Sequence, residues 1–281
     1  MIGVITDSTC DLAPNTLAQH GISTVPLEVR IGQDRFADWQ DLEPGELYAR
    51  LEAGATVETA PPEVARFEEA YRRHLAVYDH LISVHLSGQI SQTVAHAREA
   101  ARRIGESARI HIVDSGVVTA PLAELVIRAS EAVSAGSPPE DILGLLDRIR
   151  AAQSSEFVVP TLEYLRRGGR LSRAGELLGN LLGMRPIITF ADGHIVPARR
   201  VRQGQGLGSI IESLEAKFGR EPLRVAIAYA GQDPDGIGRV RLALENSKLR
   251  VKKGRVQLIG AAVGAHVGPG TYGITATPLE V

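Results

Sequence analysis

The sequence has little cysteine and few aromatic residues. Its 281 residues include one cysteine, Cys10, and aromatic side chains make up 4% of the chain. A single cysteine excludes an intramolecular disulfide and a metal cluster held by cysteines. The scarcity of aromatic residues argues against a surface on which nucleic-acid bases stack. A net charge of -2 gives no electrostatic basis for binding a polyanion either.

Long hydrophobic runs and targeting signals are also lacking. No segment approaches the roughly 20 apolar residues that a membrane-spanning helix needs. Residues 1–7 lack the basic start of a signal peptide. Hydrophobic residues make up 44% and charged residues 23%, which is typical of soluble globular domains. These features predict a soluble cytoplasmic protein.

The common motifs for nucleotide binding and hydrolysis are missing as well. The sequence contains neither a Walker A motif nor a G-x-S-x-G elbow. Residues 204–209 begin like a dinucleotide fingerprint, but Ser209 stands where the third glycine belongs, so we interpret the match as false. The histidines lack the pairing with carboxylates that is typical of zinc sites. We therefore expect no cofactor and no metal.

What the chain does contain is an alternation of β-branched and amphipathic segments, which predicts an α/β fold with two domains. Residues 1–152 are predicted to form a parallel sheet flanked by helices, and residues 153–281 a mixed α/β domain. Asp192 and Gly193 predict a hairpin within the second domain. Strands are predicted at residues 3–6, 22–29, 80–84, 109–113, 154–160, 184–190, 194–201, 223–230 and 255–259. Helices are predicted at residues 62–75, 91–104, 121–135, 138–151 and 234–246.

Two adjacent glycines, Gly168 and Gly169, end a further predicted helix and precede Arg170. Glycine accepts left-handed backbone angles and lets other groups approach closely, because it has no Cβ. Ser172 is the predicted N-cap of the next helix, whose free amides attract an anion. An arginine at this turn suits a carboxylate or a phosphate. The alternative is a helix–turn–helix connection with a solvated arginine.

Other hydroxyl and imidazole groups stand in similar turns. Ser91 is predicted to cap the helix that begins there, either beside a bound anion or without a ligand. His266 precedes the stiff Gly-Pro-Gly turn of residues 268–270, which holds the imidazole in a fixed orientation. A buried structural histidine is the alternative. Asp-Ser pairs at residues 7–8 and 114–115 end two predicted strands, where they either line a ligand crevice or cap turns.

Taken together, six segments resemble the DegV family of bacterial fatty-acid-binding proteins, and the resemblance spans nearly the whole chain. The Gly-Gly-Arg and His-x-Gly-Pro-Gly segments are the most specific in combination. Ala60 and Pro61 replace the Ser and Gln of the family's Thr-Ser-Gln-Pro segment, and Gln92 replaces the glycine of its Leu-Ser-Gly-Thr segment. The six segments are residues 5–8, 58–62, 85–93, 162–172, 185–187 and 266–270.

The resemblance implies a long-chain fatty acid, such as palmitate, held between or beneath two α/β domains. It implies that Thr59 and Ser91 bind the carboxylate, with His266 close by and Arg170 near the pocket mouth. A protein of this type is a lipid-binding carrier and not an enzyme. It presents the carboxylate to a separate kinase subunit that makes an acyl phosphate for lipid metabolism. Neither nucleic acid nor stable membrane insertion is expected.

Two other functions stay open at the level of sequence. One is an acyl ester or phosphate hydrolase with Ser91 as nucleophile and His266 as base. The other is a two-domain scaffold whose glycine turns are only structural. A cluster of arginines either forms a docking patch for the kinase or is a solvated face. The cluster consists of Arg166, Arg167, Arg170, Arg173, Arg199, Arg200 and Arg202.

Overall fold

The computed structural model describes residues 1–171, 183–231 and 234–281. Their strands are β1 (Ile2–Asp7), β2 (Ile22–Val25), β3 (Glu28–Ile31), β4 (Asp34–Ala37), β5 (Val57–Ala60), β6 (His80–His85), β7 (Ile110–Asp114), β8 (Ser154–Val158), β9 (Met184–Ala191), β10 (His194–Arg202), β11 (Pro222–Tyr229), β12 (Arg250–Leu258) and β13 (Tyr272–Pro278). Their helices are α1 (Pro14–Gln19), α2 (Pro44–Glu52), α3 (Val64–Leu75), α4 (Thr93–Arg103), α5 (Ala120–Ser134), α6 (Pro139–Ala152), α7 (Glu163–Arg167), α8 (Gly206–Phe218), α9 (Pro234–Glu245) and α10 (Ala261–Val267).

The first sheet is parallel, with strand order β2-β1-β6-β7. From β1 the chain turns to one side to form β2, and β6 and β7 then extend the sheet on the other side. Open α/β sheets bind ligands outside the carboxyl ends of their strands at such a reversal of strand order. The segments that follow β1 and β6 therefore border the expected crevice.

A small antiparallel sheet, β4-β3-β5, stands beside the parallel sheet and was not predicted. The single strand predicted at residues 22–29 is wrong, since two strands of different sheets occupy these residues. Val25 pairs with Asp7 in the parallel sheet, whereas Glu28 pairs with Ala37 and Ala60 in the small one. Pro26 lies between them and has no N–H to continue a ladder of hydrogen bonds.

The second large sheet is mixed, with strand order β10-β9-β8-β13-β11-β12. The predicted hairpin is confirmed, because β9 and β10 pair antiparallel around Asp192 and Gly193. Both turn residues have positive φ, 49° and 79°, as a tight primed turn requires. Only β11 and β12 run parallel in this sheet, and α9 connects them.

Helix α5 contacts strands of both large sheets, and α6 contacts β13 of the mixed sheet. Helices α3 and α4 cover the opposite face of the parallel sheet. Ten of the fifteen residues of α5 are buried, which fits a helix enclosed by protein on most sides. Helices α8 and α9 pack on the outer face of the mixed sheet. The layered α/β architecture agrees with the predicted fold class. The domain boundary at residue 152 stays a prediction.

A buried ion-pair network fixes α5 against the mixed sheet. Arg224 of β11 contacts Glu124 at 2.7 Å and Glu131 at 2.9 Å. Glu124 also contacts Arg255 of β12 at 3.4 Å. The carboxylate of Glu124 is 4% exposed, so its charge is balanced by arginines and not by water. Because α5 also contacts β1 and β6, this network links the mixed sheet to the parallel sheet.

Candidate functional site

A narrow apolar cavity lies where the carboxyl ends of β1, β6 and β7 approach the mixed sheet. The empty space between its walls is about 690 Å³, a figure that includes open solvent at its mouth. Most of its lining is aliphatic or aromatic and includes Leu86, Val118, Phe157, Ile188, Phe190 and Ile195. The cavity thus suits a slender apolar ligand.

All four residues predicted for the ligand site line this one cavity. Thr59 is contributed by β5 of the small sheet, and Ser91 stands two residues before α4. Arg170 follows α7, and His266 is the penultimate residue of α10. Their segments are separated by up to 207 positions in sequence, so the fold and not a local motif brings them together.

Thr59 and His266 form the polar centre of the cavity. The Thr59 hydroxyl oxygen lies 2.7 Å from Nε2 of His266. Burial, with the nearby charge of Arg170, lowers the pKa of His266 to about 4. The imidazole is therefore neutral at pH 7, with one nitrogen as donor and the other as acceptor. Its Nδ1 is buried and has no hydrogen-bond partner among the described residues.

The two glycines after α7 have different roles. A Cβ on Gly168 would lie 2.1 Å from Nδ1 of His266, so only glycine leaves room for the ring. Gly169 instead has a φ of +67° with open space around it, as in a helix-terminating turn. The prediction of left-handed angles holds for Gly169, and that of close approach holds for Gly168. The predicted N-cap at Ser172 lies outside the described residues.

Arg170 brings the positive charge of the site. Its Nη1 donates a hydrogen bond to the carbonyl of Gly168, which folds the side chain back over the turn. The guanidinium has five N–H donors, so this bond leaves others for a ligand. Its charge is one cause of the lowered pKa of His266, which shows that the two groups are close. The cavity mouth therefore attracts an anion.

Ser91 lies before α4 but is not the N-cap residue that was predicted. The N-cap of α4 is Gln92, so the prediction of Ser91 as N-cap is wrong by one position. The Ser91 hydroxyl still accepts a hydrogen bond from the backbone N–H of Thr93 at 3.3 Å, and it lies 2.9 Å from the Thr93 hydroxyl. Gln92 has a φ of -78°, an angle that needs no glycine.

The two predicted Asp-Ser pairs lie in different settings, Asp114 in a turn and Asp7 in the core. Asp114 accepts hydrogen bonds from Gly88 and Gly116, as a turn-capping residue does. Asp7 is fully buried and binds His85. Two further buried aspartates, Asp11 and Asp38, lie beside the cavity and were not predicted as a pair. The only signal in the sequence is the short spacing from Asp7 to Asp11.

The described residues contain neither a metal site nor a membrane-spanning helix. No group of three or more histidine, cysteine, aspartate or glutamate side chains is arranged to hold a metal ion. Within the same part of the chain, every helix is too short or too polar to cross a membrane.

The fold and the cavity define an α/β protein with a narrow apolar cavity beside a polar cluster. A model of the family described as "Uncharacterised protein, DegV family" matches residues 1–279. A DegV domain-containing protein of Deinococcus radiodurans is 35% identical over 283 residues, with 99% of each chain covered. The chain belongs to the DegV family.

Solved structures of the family have the same fold. A DegV family protein from Thermus thermophilus, described for its fatty acid binding, superimposes with a TM-score of 0.93 at 34% identity, covering 99% of both chains. DegV of Bacillus subtilis, described as a fatty acid binding protein, gives a TM-score of 0.86 at 27% identity and covers 99% of both chains. The predicted family and fold class are therefore confirmed.

Proposed function

We propose that this protein binds a long-chain fatty acid, with the alkyl chain in the apolar cavity and the carboxylate at Thr59, Ser91, His266 and Arg170. The observation that carries the proposal is that these four side chains, and a lining otherwise mainly apolar, belong to one narrow cavity. Relatives of the same fold are described as fatty-acid-binding proteins, which supports it.

The polar cluster offers the donors that a carboxylate needs. With its proton on Nε2, neutral His266 donates to the Thr59 oxygen, and the Thr59 hydroxyl proton is then free to point at the ligand. Ser91 and Arg170 supply further donors. Each hydrogen bond to a charged group contributes about 1.5–3 kcal/mol. These bonds select an acid over a neutral lipid.

The alkyl chain supplies most of the affinity. Burial of one methylene group contributes about 0.8 kcal/mol, so a palmitoyl chain gains on the order of 10 kcal/mol before the cost of ordering it. A narrow cavity with an apolar lining suits a flexible, slender chain better than a ring system. The fatty acid is thus held mainly by its tail and oriented by its head.

The proposed role of the complex is to present the carboxylate to a separate kinase that forms an acyl phosphate. The arginines that cluster in sequence around the site are candidates for the docking surface, but they are not equally available, and Arg173 lies outside the described residues. Arg199 is bound to Glu156 at 2.6 and 2.9 Å. Arg166 and Arg167 both bind Glu163. The exposed Arg202 is therefore the residue with which docking is best tested.

The hydrolase hypothesis needs a hydrogen bond between Ser91 and His266. Each group has another partner: Ser91 Oγ contacts Thr93 Oγ1, and His266 Nε2 contacts Thr59. A nucleophile and its base act within hydrogen-bond reach of each other. The geometry therefore favours the carrier. Turnover of acyl esters or acyl phosphates by the purified protein, lost in Ser91→Ala, would support the hydrolase instead.

The proposed function is tested by native mass spectrometry of the purified protein, before and after incubation with palmitate. We expect one bound molecule, released as the free acid on denaturation. Thr59→Val and Ser91→Ala are each expected to weaken palmitate binding about tenfold, the loss of one charge-assisted bond, while each variant still unfolds cooperatively in urea. Apo protein at every palmitate concentration would contradict the proposal.

The kinase step has its own test. A purified fatty acid kinase subunit with ATP is expected to convert the bound palmitate to an acyl phosphate, trapped as the hydroxamate. Arg202→Glu is expected to slow this reaction at unchanged palmitate affinity. Equal rates for both proteins would contradict docking through Arg202.

A further inference from the structure

Two buried carboxyl groups hold the N-terminal end of α10, the helix that carries the imidazole of the site near its other end. Asp38 Oδ1 accepts hydrogen bonds from the backbone N–H groups of Ala261 and Ala262, at 3.0 and 3.2 Å. Asp11 Oδ1 accepts one from Gly260 at 2.9 Å. Both aspartates are 1% exposed. They fix the start of a helix whose following residues line the cavity.

Three oxygen atoms in this cluster are shielded from solvent and have no hydrogen bond of good geometry among the described residues: Asp11 Oδ2, Asp38 Oδ2 and Thr119 Oγ1. Thr119 itself lines the cavity, and its hydroxyl is close enough to Asp11 to favour the ionised carboxylate. Buried polar atoms are normally paired, and two carboxylates that share a buried site repel each other. A proton held between the two carboxyl groups relieves this repulsion.

The neighbouring groups do not balance two negative charges. Asp7 faces Asp38 from the end of β1, and the Cys10 thiol faces both carboxyl groups. Tyr48 of α2 faces the pair from another side. The indole N–H of Trp39 approaches Asp11 Oδ1 at 3.4 Å. These neighbours are acidic or neutral, and the Arg255 guanidinium faces the Cys10 thiol, so a proton held within the pair reduces its repulsion.

The backbone around the pair is held in unusual conformations. Of the four non-glycine residues with positive φ among those described, three stand here: Asp11 at 55°, Trp39 at 65° and Thr119 at 58°. A positive φ is rare for a β-branched residue such as threonine. Strain of this kind persists where the surroundings fix it, and it clusters at functional sites.

We propose that Asp11 and Asp38 hold one proton between them and act as positioning residues for the fatty-acid site, so that ligand affinity depends on the protonation state of the pair. With the proton on Asp11, its Oδ2–H becomes a donor for one of the two unpartnered oxygens nearby. Asp38 keeps its charge, since two backbone N–H groups and the Ser8 hydroxyl favour its ionised form. The inference rests on the proposed function, because it concerns the same cavity.

The electrostatics agree with this assignment. Burial and the neighbouring Asp38 raise the pKa of Asp11 well above its ordinary value. Burial raises the pKa of Asp38 to about 6, with Ser8 and the α10 amides opposing the rise. Both shifts favour a proton held within the pair. Below about pH 6 it takes up a second one, and the charge-assisted bonds that seat α10 weaken.

The experiment measures palmitate affinity from pH 5 to 8 for the wild-type protein, Asp38→Asn and Asp11→Asn. We expect the wild-type affinity to fall below about pH 6, by at most tenfold per pH unit for one linked proton. Asp11→Asn imitates the protonated acid and should keep this profile. Asp38→Asn cannot take up the second proton, so its palmitate affinity should not fall below pH 6 in this way. Hexadecanol, measured in parallel, separates titration of the protein from that of the palmitate carboxyl.

The outcomes separate this inference from the proposed function. An unchanged pH profile in Asp38→Asn, with palmitate still bound, overturns the proton-linked pair alone. Failure of every protein to bind palmitate at any pH overturns the proposed function.

A titration of the unliganded wild-type protein covers the case in which a variant does not fold. Carbon-13 spectra of aspartate-labelled protein should show one carboxyl with a midpoint near pH 6 and a second still protonated at pH 7. If all carboxyl groups are ionised at pH 7, the inference is wrong.

Discussion

Two histidines of this protein, His85 and His266, lie in buried polar settings that differ in one respect. Both ring nitrogens of His85 have partners, Asp7 Oδ2 at 3.0 Å and Ser83 Oγ at 2.7 Å. His266 has one partner, Thr59, and its Nδ1 has none among the described residues. His85 is 0% exposed, whereas His266 stands at a cavity.

The difference indicates which histidine is structural and which is available to a ligand. The network of His85 continues from Ser83 to the hydroxyl of Tyr71 at 2.9 Å, and it joins β1, β6 and α3. A fully satisfied network of this kind fixes one arrangement of the core. His266 keeps one ring nitrogen without a partner among the described residues and lines the apolar cavity, so it, and not His85, lies beside the proposed ligand.

The largest expected effect comes from breaking the network of His85. Asp7 accepts hydrogen bonds from Thr9, His85 and the backbone N–H of Leu86. Asp7→Ala leaves these buried donors unpaired, at about 1–3 kcal/mol each. We expect the free energy of unfolding, measured in urea, to fall by about 3–5 kcal/mol. Thr59→Val is the matched change at His266; it removes one hydrogen bond, so we expect a smaller loss of about 1 kcal/mol. Equal losses in both variants would contradict the distinction.

A second, smaller effect concerns the pH dependence of stability. The pKa of His266 is lowered to about 4 by burial and by Arg170, against an ordinary value of 6.5. Between these two pKa values the unfolded chain binds more protons than the folded protein. The contribution of neutral His266 to the free energy of unfolding is therefore fully present above pH 6.5 and is lost as the pH falls toward 4. We expect a loss of about 2–3 kcal/mol over this window.

The measurement compares urea unfolding of the wild-type protein and His266→Gln at pH 4.5, 5.5, 6.5 and 8. Glutamine does not titrate, so the difference between the two proteins isolates the histidine from the carboxyl groups. This difference should change below pH 6.5 and stay constant above it. A difference that is constant over the whole range would show that His266 is not buried in a neutral form.

The alternation of strands and helices and the hairpin at Asp192-Gly193 could be predicted because they depend on local sequence. The small sheet could not be predicted, since β3, β4 and β5 are each four residues long and gain their stability from pairing with one another. The break at Pro26 is a local signal that could have separated β2 from β3.

The candidate residues could be named from the sequence, and their role in binding stays a prediction; their contacts could not be predicted. Thr59, Ser91, Arg170 and His266 were identified through the family resemblance, and the fold brings all four to one cavity. Spacing along the chain could not indicate that Thr59 meets His266, because the contact spans 207 positions. The pair of Asp11 and Asp38 was missed for the same reason, since each is an ordinary surface-type residue when seen in sequence.

The smallest expected effect separates the two glycines beside His266. Gly168→Ala places a Cβ 2.1 Å from Nδ1 of His266, so the imidazole must shift from the position in which it contacts Thr59. We expect palmitate affinity to fall about tenfold, which corresponds to about 1.4 kcal/mol. Gly169→Ala is the matched control, because its Cβ meets open space and its φ of +67° costs about 1–2 kcal/mol of stability instead. Calorimetric titration with palmitate should therefore distinguish the variants, with Gly169→Ala binding like the wild-type protein. If both lose affinity equally, the turn as a whole positions the ligand, and the close approach of His266 to Gly168 has no specific role.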